Sequence, residues 1–179
     1  LTMDNGYKPL KWISSRKLSR DLFLLFQDLR PIRISAGALG GGLPIRDLIV
    51  SPQHRVLVRS DIAERMFGSR EVLVAAKQLL EMPGIDVIAD KQEVEYWHFM
   101  FDQHEVVFAE GAPSESLYAG VEALKSLSAK SRAELLTIFP ELAHAHAEPP
   151  VPARPLIRGA QGRRMAQRHA QNMKALIQS

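Results

Sequence analysis

The chain has 179 residues, of which 46% are hydrophobic and 24% are charged, a composition typical of one globular domain with or without an appendage. It contains no cysteine, which excludes disulfides, cysteine-ligated zinc and thiol chemistry by its own residues. The net charge of +3 is uneven: six basic residues and no acid follow Val151, and subtracting these six from the 23 basic residues leaves 17 against 20 acids in residues 1–150. The overall basic charge therefore does not indicate a nucleic-acid-binding protein.

The first 35 residues predict short strands and turns. Asp4-Asn5-Gly6 is typical of a tight turn, because Asn-Gly tolerates positive φ angles, and the alternating Tyr7–Ile13 follows it as a strand. This turn implies a partner strand at or before Leu1. Ser19–Asp28 is open between a strand and a short helix, and Pro31–Ser35 alternates as a further strand.

The amino-terminal end lacks the features of a targeting segment. LTMDNGYKPLKWI has neither the basic head nor the apolar centre of a signal peptide, and no run approaches the roughly 18 apolar residues of a membrane span. Because the chain does not start with methionine, we expect it to begin inside a longer protein. The localisation stays open, with part of an exported bacterial protein as one interpretation.

The middle of the chain predicts strands separated by turns. Gly37–Gly42 is interpreted as a surface turn, because a phosphate loop would be followed by Lys and Ser or Thr rather than by Leu43-Pro44. Asp47–Val50 and Arg55–Arg59 are predicted strands around the turn Ser51-Pro52-Gln53.

Two further segments predict β-structure. Val72–Ala76 is a short strand or the start of a helix running to Leu80. Val94–Phe101 and Glu105–Ala109 are expected to form a hairpin around Asp102-Gln103.

The composition then changes to that of helices. Ser114–His146 is predicted to be helical, and Ser131 with Glu134 forms a capping box before Arg132–Phe139. These patterns divide the chain into a β domain over residues 1–113, a helical extension over 114–147 and a linker with a basic tail over 148–179.

The tail combines prolines with positive charge. Glu148–Pro155 is predicted to be an extended linker, and Gly162–Ile177 a basic amphipathic helix with Met165, Met173, Leu176 and Ile177 on one side. Nucleic acid, an anionic surface, a solvated end and an arm between subunits are the alternatives for this tail. The sequence favours a solvated end, or contacts between copies in a homo-oligomer, over nucleic acid.

Two histidines near strand starts are the best candidates for chemistry. His54 follows Ser51-Pro52-Gln53, and His104 follows Asp102-Gln103 and precedes an apolar run. An imidazole holds or releases a proton near pH 7, and strand ends fix its geometry. The alternative is that each is a half-buried histidine bonded to a backbone carbonyl. A zinc site built from His54, His98 and His104 lacks a close-spaced ligand pair, so we expect no metal and no cofactor.

Around these histidines the chain resembles a known family. The pattern LxxRDLxVSPQHRVLV, the later DxHEVVxAEGxxxES and the ALGxGLP loop are similar to the bacterial branch of the Hint (hedgehog/intein) family, over roughly residues 1–120. The early strand and turn, LTMDNGYKPLKWI, and the helical piece after Ser114 are similar to this branch as well. The resemblance implies a mainly β fold, a horseshoe of antiparallel strands with a C-terminal helical extension.

The resemblance also implies an activity and its residues. Family members cut or rearrange their own chain when a Cys or Ser at the start of the domain attacks the preceding carbonyl. His54 matches the histidine that acts on the scissile amide nitrogen, with Ser51 at a supporting position. His104 matches the histidine of the later sequence block, and Asp102 lies near that block's acidic position.

The chain departs from this pattern in its first nucleophile and in its last catalytic pair. The nucleophile is expected upstream of Leu1, and the His-Asn pair that ends splicing is lacking. The resemblance therefore implies cleavage or acyl transfer on the chain's own upstream polypeptide, and not full splicing. The alternative is a β-scaffold or binding module without chemistry. No G-x-S-x-G or HExxH motif indicates a hydrolase of external substrates.

Overall fold

The computed structural model describes residues 1–118, 124, 127–139, 142 and 150–178. Its strands are β1 (Trp12–Ser19), β2 (Ile32–Ile34), β3 (Leu48–Val50), β4 (Arg55–Arg59), β5 (Glu71–Ala75), β6 (Ile85–Val87), β7 (Glu93–Met100), β8 (Val106–Ala109), β9 (Ala112–Glu115) and β10 (Leu156–Ile157). Its helices are α1 (Arg20–Leu25), α2 (Asp61–Phe67), α3 (Ala129–Ile138) and α4 (Gly159–Gln171), with short 3-10 turns at Gln27–Leu29 and Ala76–Gln78.

The strands form three sheets in the described part of the chain. The largest has the order β10-β5-β4-β9-β8, a second has β3-β2-β6, and β1 pairs with β7. All pairs are antiparallel except β10 with β5. The predicted mainly β fold with helices toward the carboxyl end is confirmed.

The centre of the large sheet is covered on both faces. The valines of β4 and β5 are fully buried in the main core, and Leu57 and Leu73 are fully buried in a second cluster on the opposite face. A strand buried on both faces needs apolar residues at every position, which the sequences RVLVR and EVLVA supply between their charged ends. These two strands therefore form a rigid support for the residues at their ends.

The amino-terminal elements differ in part from the prediction. The turn is confirmed, since Thr2 bridges to Gly6 and the Thr2 N–H donates to the Gly6 carbonyl at 2.7 Å. The strand β1 begins at Trp12 and not at Tyr7, because Pro9 has no N–H for a sheet and Tyr7 is exposed. Ser19–Asp28, which was open, contains the short helix α1, and the strand predicted within 31–35 is β2.

The predicted hairpin around Asp102-Gln103 is wrong. The strand β7 pairs along its whole length with β1, from Trp12 opposite Met100 to Ser19 opposite Glu93. The strand β8 instead forms a hairpin with β9. Glu110 (φ 49°) and Gly111 (φ 76°) connect this hairpin, and two residues at positive φ match the twist of paired strands. Asp102-Gln103 thus links two different sheets.

The helical prediction for Ser114–His146 is too long at its start. Ser114 and Glu115 belong to β9, and the helix within this range is α3. Its cap is Ser128, whose hydroxyl accepts the Ser131 N–H, so the capping box starting at Ser131 is wrong. Much of the remaining predicted range lies outside the described residues.

The carboxyl-terminal segment is part of the core. Met165 and Ala166 of α4 and the following Leu176 are fully buried in the main cluster. The helix ends at Gln171, and Met173 has a φ of 49°, so its side chain leaves the apolar side and is 93% exposed. The prediction that Met173 lies on this side is therefore wrong.

The carboxyl-terminal segment packs against the glycine loop, Gly37–Gly42. The Ile177 N–H donates to the carbonyl of buried Leu39 at 2.8 Å. Gly40 has a φ of 98°, and a Cβ there would overlap the side chain of Ala175. The loop is thus a docking surface at Leu39 and Gly40, whereas Gly37, Gly41 and Gly42 are exposed, as predicted for a surface turn. Within the described residues, none of the helices has the length and hydropathy of a membrane span.

Candidate functional site

His54 lies at the end of the turn that leads into β4. Its N–H donates to the Ser51 carbonyl at 3.0 Å, and its own carbonyl accepts the Ala76 N–H at 2.9 Å. Pro52 is buried, and its carbonyl accepts the Lys77 N–H at 3.1 Å. The backbone of His54 is therefore fixed on both sides by hydrogen bonds, in a turn that proline favours.

Glu115 is the carboxylate at the centre of the site. It ends β9, which pairs with β4 through Val56 and Ser114, and its side chain is 8% exposed. The backbone N–H of Arg55 donates to Oε1 at 3.0 Å, and Nη1 of Arg55 donates to Oε2 at 3.0 Å. A buried carboxylate needs such charge-assisted donors, and here the residue next to His54 supplies them.

His104 faces the same carboxylate. Its side chain is 1% exposed, and its Nε2 lies 3.6 Å from Oε2 of Glu115, an electrostatic contact that is longer than a hydrogen bond. Its Nδ1 accepts the backbone N–H of Ala153 at 3.1 Å. Its ring and the Tyr118 ring form an edge-type contact with a centroid distance of 5.1 Å.

The charges of this cluster act on His54. Burial lowers the pKa of His54 below its ordinary value, the charge of Glu115 opposes this shift, and Arg55 adds to it. The residue as a whole is half-buried, but its Nε2 is buried and has no hydrogen-bond partner among the described residues. His54 thus rests as a neutral imidazole at pH 7, with a ring nitrogen that is able to take a proton.

The carboxylate is held ionised by its neighbours. Burial alone would raise the pKa of Glu115, but His104, Arg55 and His54 outweigh it and hold this pKa below the ordinary range. His98, half-buried on β7, is a third imidazole in this field: burial lowers its pKa, and the nearby His54 lowers it further. The arrangement is a neutral histidine beside a fixed negative charge, which stabilises the imidazolium when a proton arrives.

The other two predicted residues lie elsewhere around the site. Ser51 contributes its backbone carbonyl to the turn that fixes His54. Asp102 is 55% exposed at its side chain and lies 3.8 Å from Nζ of Lys8. The structure thus brings His54 and His104 to one carboxylate, which is Glu115 and not Asp102.

Sequence reasoning missed Glu115, Arg55 and His98. Glu115 was available in the pattern DxHEVVxAEGxxxES, but the expected start of a helix at Ser114 removed it from the sheet. His98 shares a face of β7 with Tyr96 and Met100, a pattern that indicates a core or interface position and not a site residue. Among the described residues, no group of three or more histidines and carboxylates is arranged to hold a metal ion.

Comparison with protein families agrees with this architecture. The family profile described as the Hint domain matches residues 1–121, about two thirds of the chain. The chain belongs to the Hint domain family. No curated protein and no solved structure matches this Hint chain. The match includes β1 to β9 and the site residues from Ser51 to Tyr118. Ala153, which donates to His104, lies beyond it.

The depressed pKa of His54 has a direct spectroscopic test. In NMR titration of the chain, we expect the His54 ring to change protonation at a midpoint below 6.5, the ordinary histidine value. The same resonance in urea should titrate near 6.5. Because the pKa of His54 is lower in the folded chain, the neutral ring contributes fully to the free energy of unfolding above pH 6.5. This contribution is lost as the pH falls through the folded midpoint. A His54 midpoint at or above the value in urea would contradict the buried, neutral ring.

Proposed function

We propose that this Hint domain cleaves the polypeptide attached at its amino-terminal side, in cis, with His54 as the proton-transfer group. The nucleophile is the thiol of a Cys or the hydroxyl of a Ser located before Leu1, in agreement with the chemistry of the family. Membership of the Hint family supports the reaction type. The site geometry supports the assignment of roles within it.

The first step forms an ester or thioester. The nucleophile attacks the carbonyl carbon of the preceding residue, and its proton passes to the neutral ring of His54. The resulting imidazolium donates this proton to the scissile amide nitrogen, which then leaves as an amine as the C–N bond breaks. Water, or a second nucleophile, finally cleaves the ester and restores the first nucleophile.

Glu115 stabilises the charged state of His54 in this sequence. The ring must gain a positive charge in a buried environment that disfavours it, as the lowered pKa shows. A carboxylate fixed by two Arg55 donors cannot turn away from the ring when the charge develops. His104 holds the opposite side of this carboxylate.

One combination carries the proposal: the Nε2 of His54 is one of three buried side-chain atoms without a partner among the described residues, with Trp12 Nε1 and His104 Nε2, and the charge of Glu115 acts on the His54 ring, whose pKa burial lowers. Buried polar atoms without partners are rare, and a catalytic role is one of their accepted explanations.

The amino-terminal segment supports the same location. The Met3 N–H donates to the Val106 carbonyl at 2.7 Å, and the Asn5 side-chain amide donates to the Glu105 carboxylate at 3.0 Å. Glu105 directly follows His104. The start of the chain is therefore fastened to the strand that begins beside the site, and proximity of this kind accounts for much of the rate of intramolecular reactions.

The test is cleavage of the natural precursor, which the proposal requires to carry a nucleophile before Leu1. Intact mass spectrometry with hydroxylamine, which traps esters and thioesters, should show a fragment that breaks at this nucleophile. His54→Ala should lower the rate by about 10²–10⁴-fold. The control is Gln53→Ala, an exposed neighbour in the same turn, which should cleave at the rate of the wild type.

Two results would overturn the proposal. One is a precursor that stays intact under hydroxylamine, and the other is equal cleavage by wild type and His54→Ala. An intact precursor would favour the alternative of a β-scaffold that keeps the fold without the chemistry.

A further inference from the structure

We infer that the backbone amide of Ala153 is a positioning group for His104, presented by a strap formed by residues 150–157. The strap lies beyond residues 1–121, which the family profile matches. Its role in catalysis rests on the proposed function, whereas the contact itself is tested independently below. The strap would make a segment outside the matched domain a part of its site.

The contact determines the tautomer of His104. The Ala153 N–H donates to Nδ1 at 3.1 Å, so Nδ1 must present a lone pair and cannot carry a proton. The ring proton is then on Nε2, which points at the Glu115 carboxylate 3.6 Å away. Because the side chain is 1% exposed, water does not compete for either nitrogen.

The strap is anchored on both sides of Ala153. On one side, the Tyr118 hydroxyl donates to the Pro150 carbonyl at 2.8 Å, and the Tyr118 ring contacts the His104 ring. On the other, the Leu73 N–H donates to the Pro155 carbonyl at 2.9 Å, where β10 joins β5. The amide is therefore held at a fixed place relative to the ring.

Arg154 ties the strap to the start of the chain. Its guanidinium donates to Asp4 at 2.7 Å and also to the Glu71 carboxylate on β5. Asp4 belongs to the same turn as Asn5, which donates to Glu105 beside His104. One arginine thus connects the amino-terminal turn, the central sheet and the amide that orients His104.

This geometry makes His104 act through Glu115. Its Nδ1 is bonded to the strap, and its buried Nε2 faces the carboxylate at 3.6 Å without a hydrogen bond, so the ring serves to orient that carboxylate electrostatically and not to exchange protons with substrate. If the ring carried its proton on Nδ1, Nε2 would present a lone pair to Glu115, and the two would repel. The strap prevents this state.

The first experiment is ¹⁵N NMR of the unaltered chain. We expect the ¹⁵N shifts of His104 to be those of a neutral ring protonated at Nε2, and a scalar coupling across the hydrogen bond between the Ala153 amide nitrogen and Nδ1. A His104 ring protonated at Nδ1, or an absent coupling, would overturn the inference whether or not the precursor cleaves.

The second experiment removes the donor. Ala153→Pro deletes the N–H and should shift the His104 tautomer ratio about fivefold toward Nδ1, the change expected for loss of one ordinary hydrogen bond. Val151→Pro is the matched control, since it places the same residue in the same strap at an exposed position and should leave the ratio unchanged. A folded Ala153→Pro chain with the wild-type ratio would overturn the inference. If Ala153→Pro does not fold, the coupling in the wild type decides.

Cleavage of the precursor tests whether the hydrogen bond from Ala153 to His104 matters for the reaction. Ala153→Pro should slow cleavage while Val151→Pro does not, and the loss should accompany the change in tautomer. If the precursor cleaves and Ala153→Pro does so at the full rate, the positioning role is refuted while the proposed function stands.

Discussion

Met165→Ala is expected to lower the free energy of unfolding by about 2–5 kcal/mol, because it removes a fully buried side chain from the main core and leaves a cavity. Met173→Ala, the same substitution eight positions later, is expected to change it by less than about 0.5 kcal/mol, because that side chain is 93% exposed. Denaturant unfolding followed by circular dichroism measures both.

This pair decides whether the carboxyl-terminal segment folds with the Hint domain. Met165 packs in a cluster that includes Val56, Val74 and Leu39, so its loss should destabilise the whole cooperative unit and shift one single transition. If residues 150–178 were a solvated tail, both variants would unfold like the wild type. A second, separate transition affected only by Met165→Ala would show that the segment folds as an independent unit.

The methionines also show what the sequence could predict about this segment. Its apolar spacing predicts a helix, and a helix is present. The helix ends at Gln171, however, and a single residue at positive φ after it, Met173, changes which side chains face the core. A helical periodicity cannot anticipate a helix end that no glycine or proline marks. The docking of Ala175 and Ile177 on the glycine loop is a tertiary contact without a local signal.

The strands were predictable where their patterns are local. The run RVLVR is short, β-branched and bounded by turns, and it is the predicted strand. Val72–Ala76 was open between a strand and a helix, and the structure has the strand β5 there. Pairing was not predictable in the same way. Val94–Phe101 and Glu105–Ala109 are close in sequence, yet the first pairs with β1 and the second with β9, so neither partner is the nearest predicted strand.

The same difficulty hid the central carboxylate. The resemblance to the Hint family pointed to His54 and His104, which the structure places around Glu115. Glu115 reaches them only because β9 continues for four residues after its turn and pairs with both β4 and β8. Its identity as the partner of Arg55 depends on that register, and a register is specified by the whole sheet rather than by the segment.

Glu115→Gln is expected to lower the free energy of unfolding by about 1.5–3 kcal/mol at pH 7, because buried hydrogen bonds from Arg55 would lose their charged acceptor. Glu110→Gln is the matched control. It removes another carboxylate that pairs with an arginine, but Arg46 is 78% exposed there, so water replaces the contact and little change is expected. Equal effects of the two substitutions would contradict a buried, structured site around Glu115.

The pH dependence gives this variant a second signature. Because the pKa of Glu115 is lower in the folded chain than its ordinary 4.5, its stabilisation is present above pH 4.5 and is lost as the pH falls through the folded value. The difference between wild type and Glu115→Gln should therefore shrink below pH 4.5. The charge of Glu115 raises the pKa of His54, so Glu115→Gln should move the His54 titration midpoint to a still lower pH. An unchanged or higher midpoint would mean that the carboxylate does not act on this ring, and the proton transfer proposed for His54 would lose its electrostatic support.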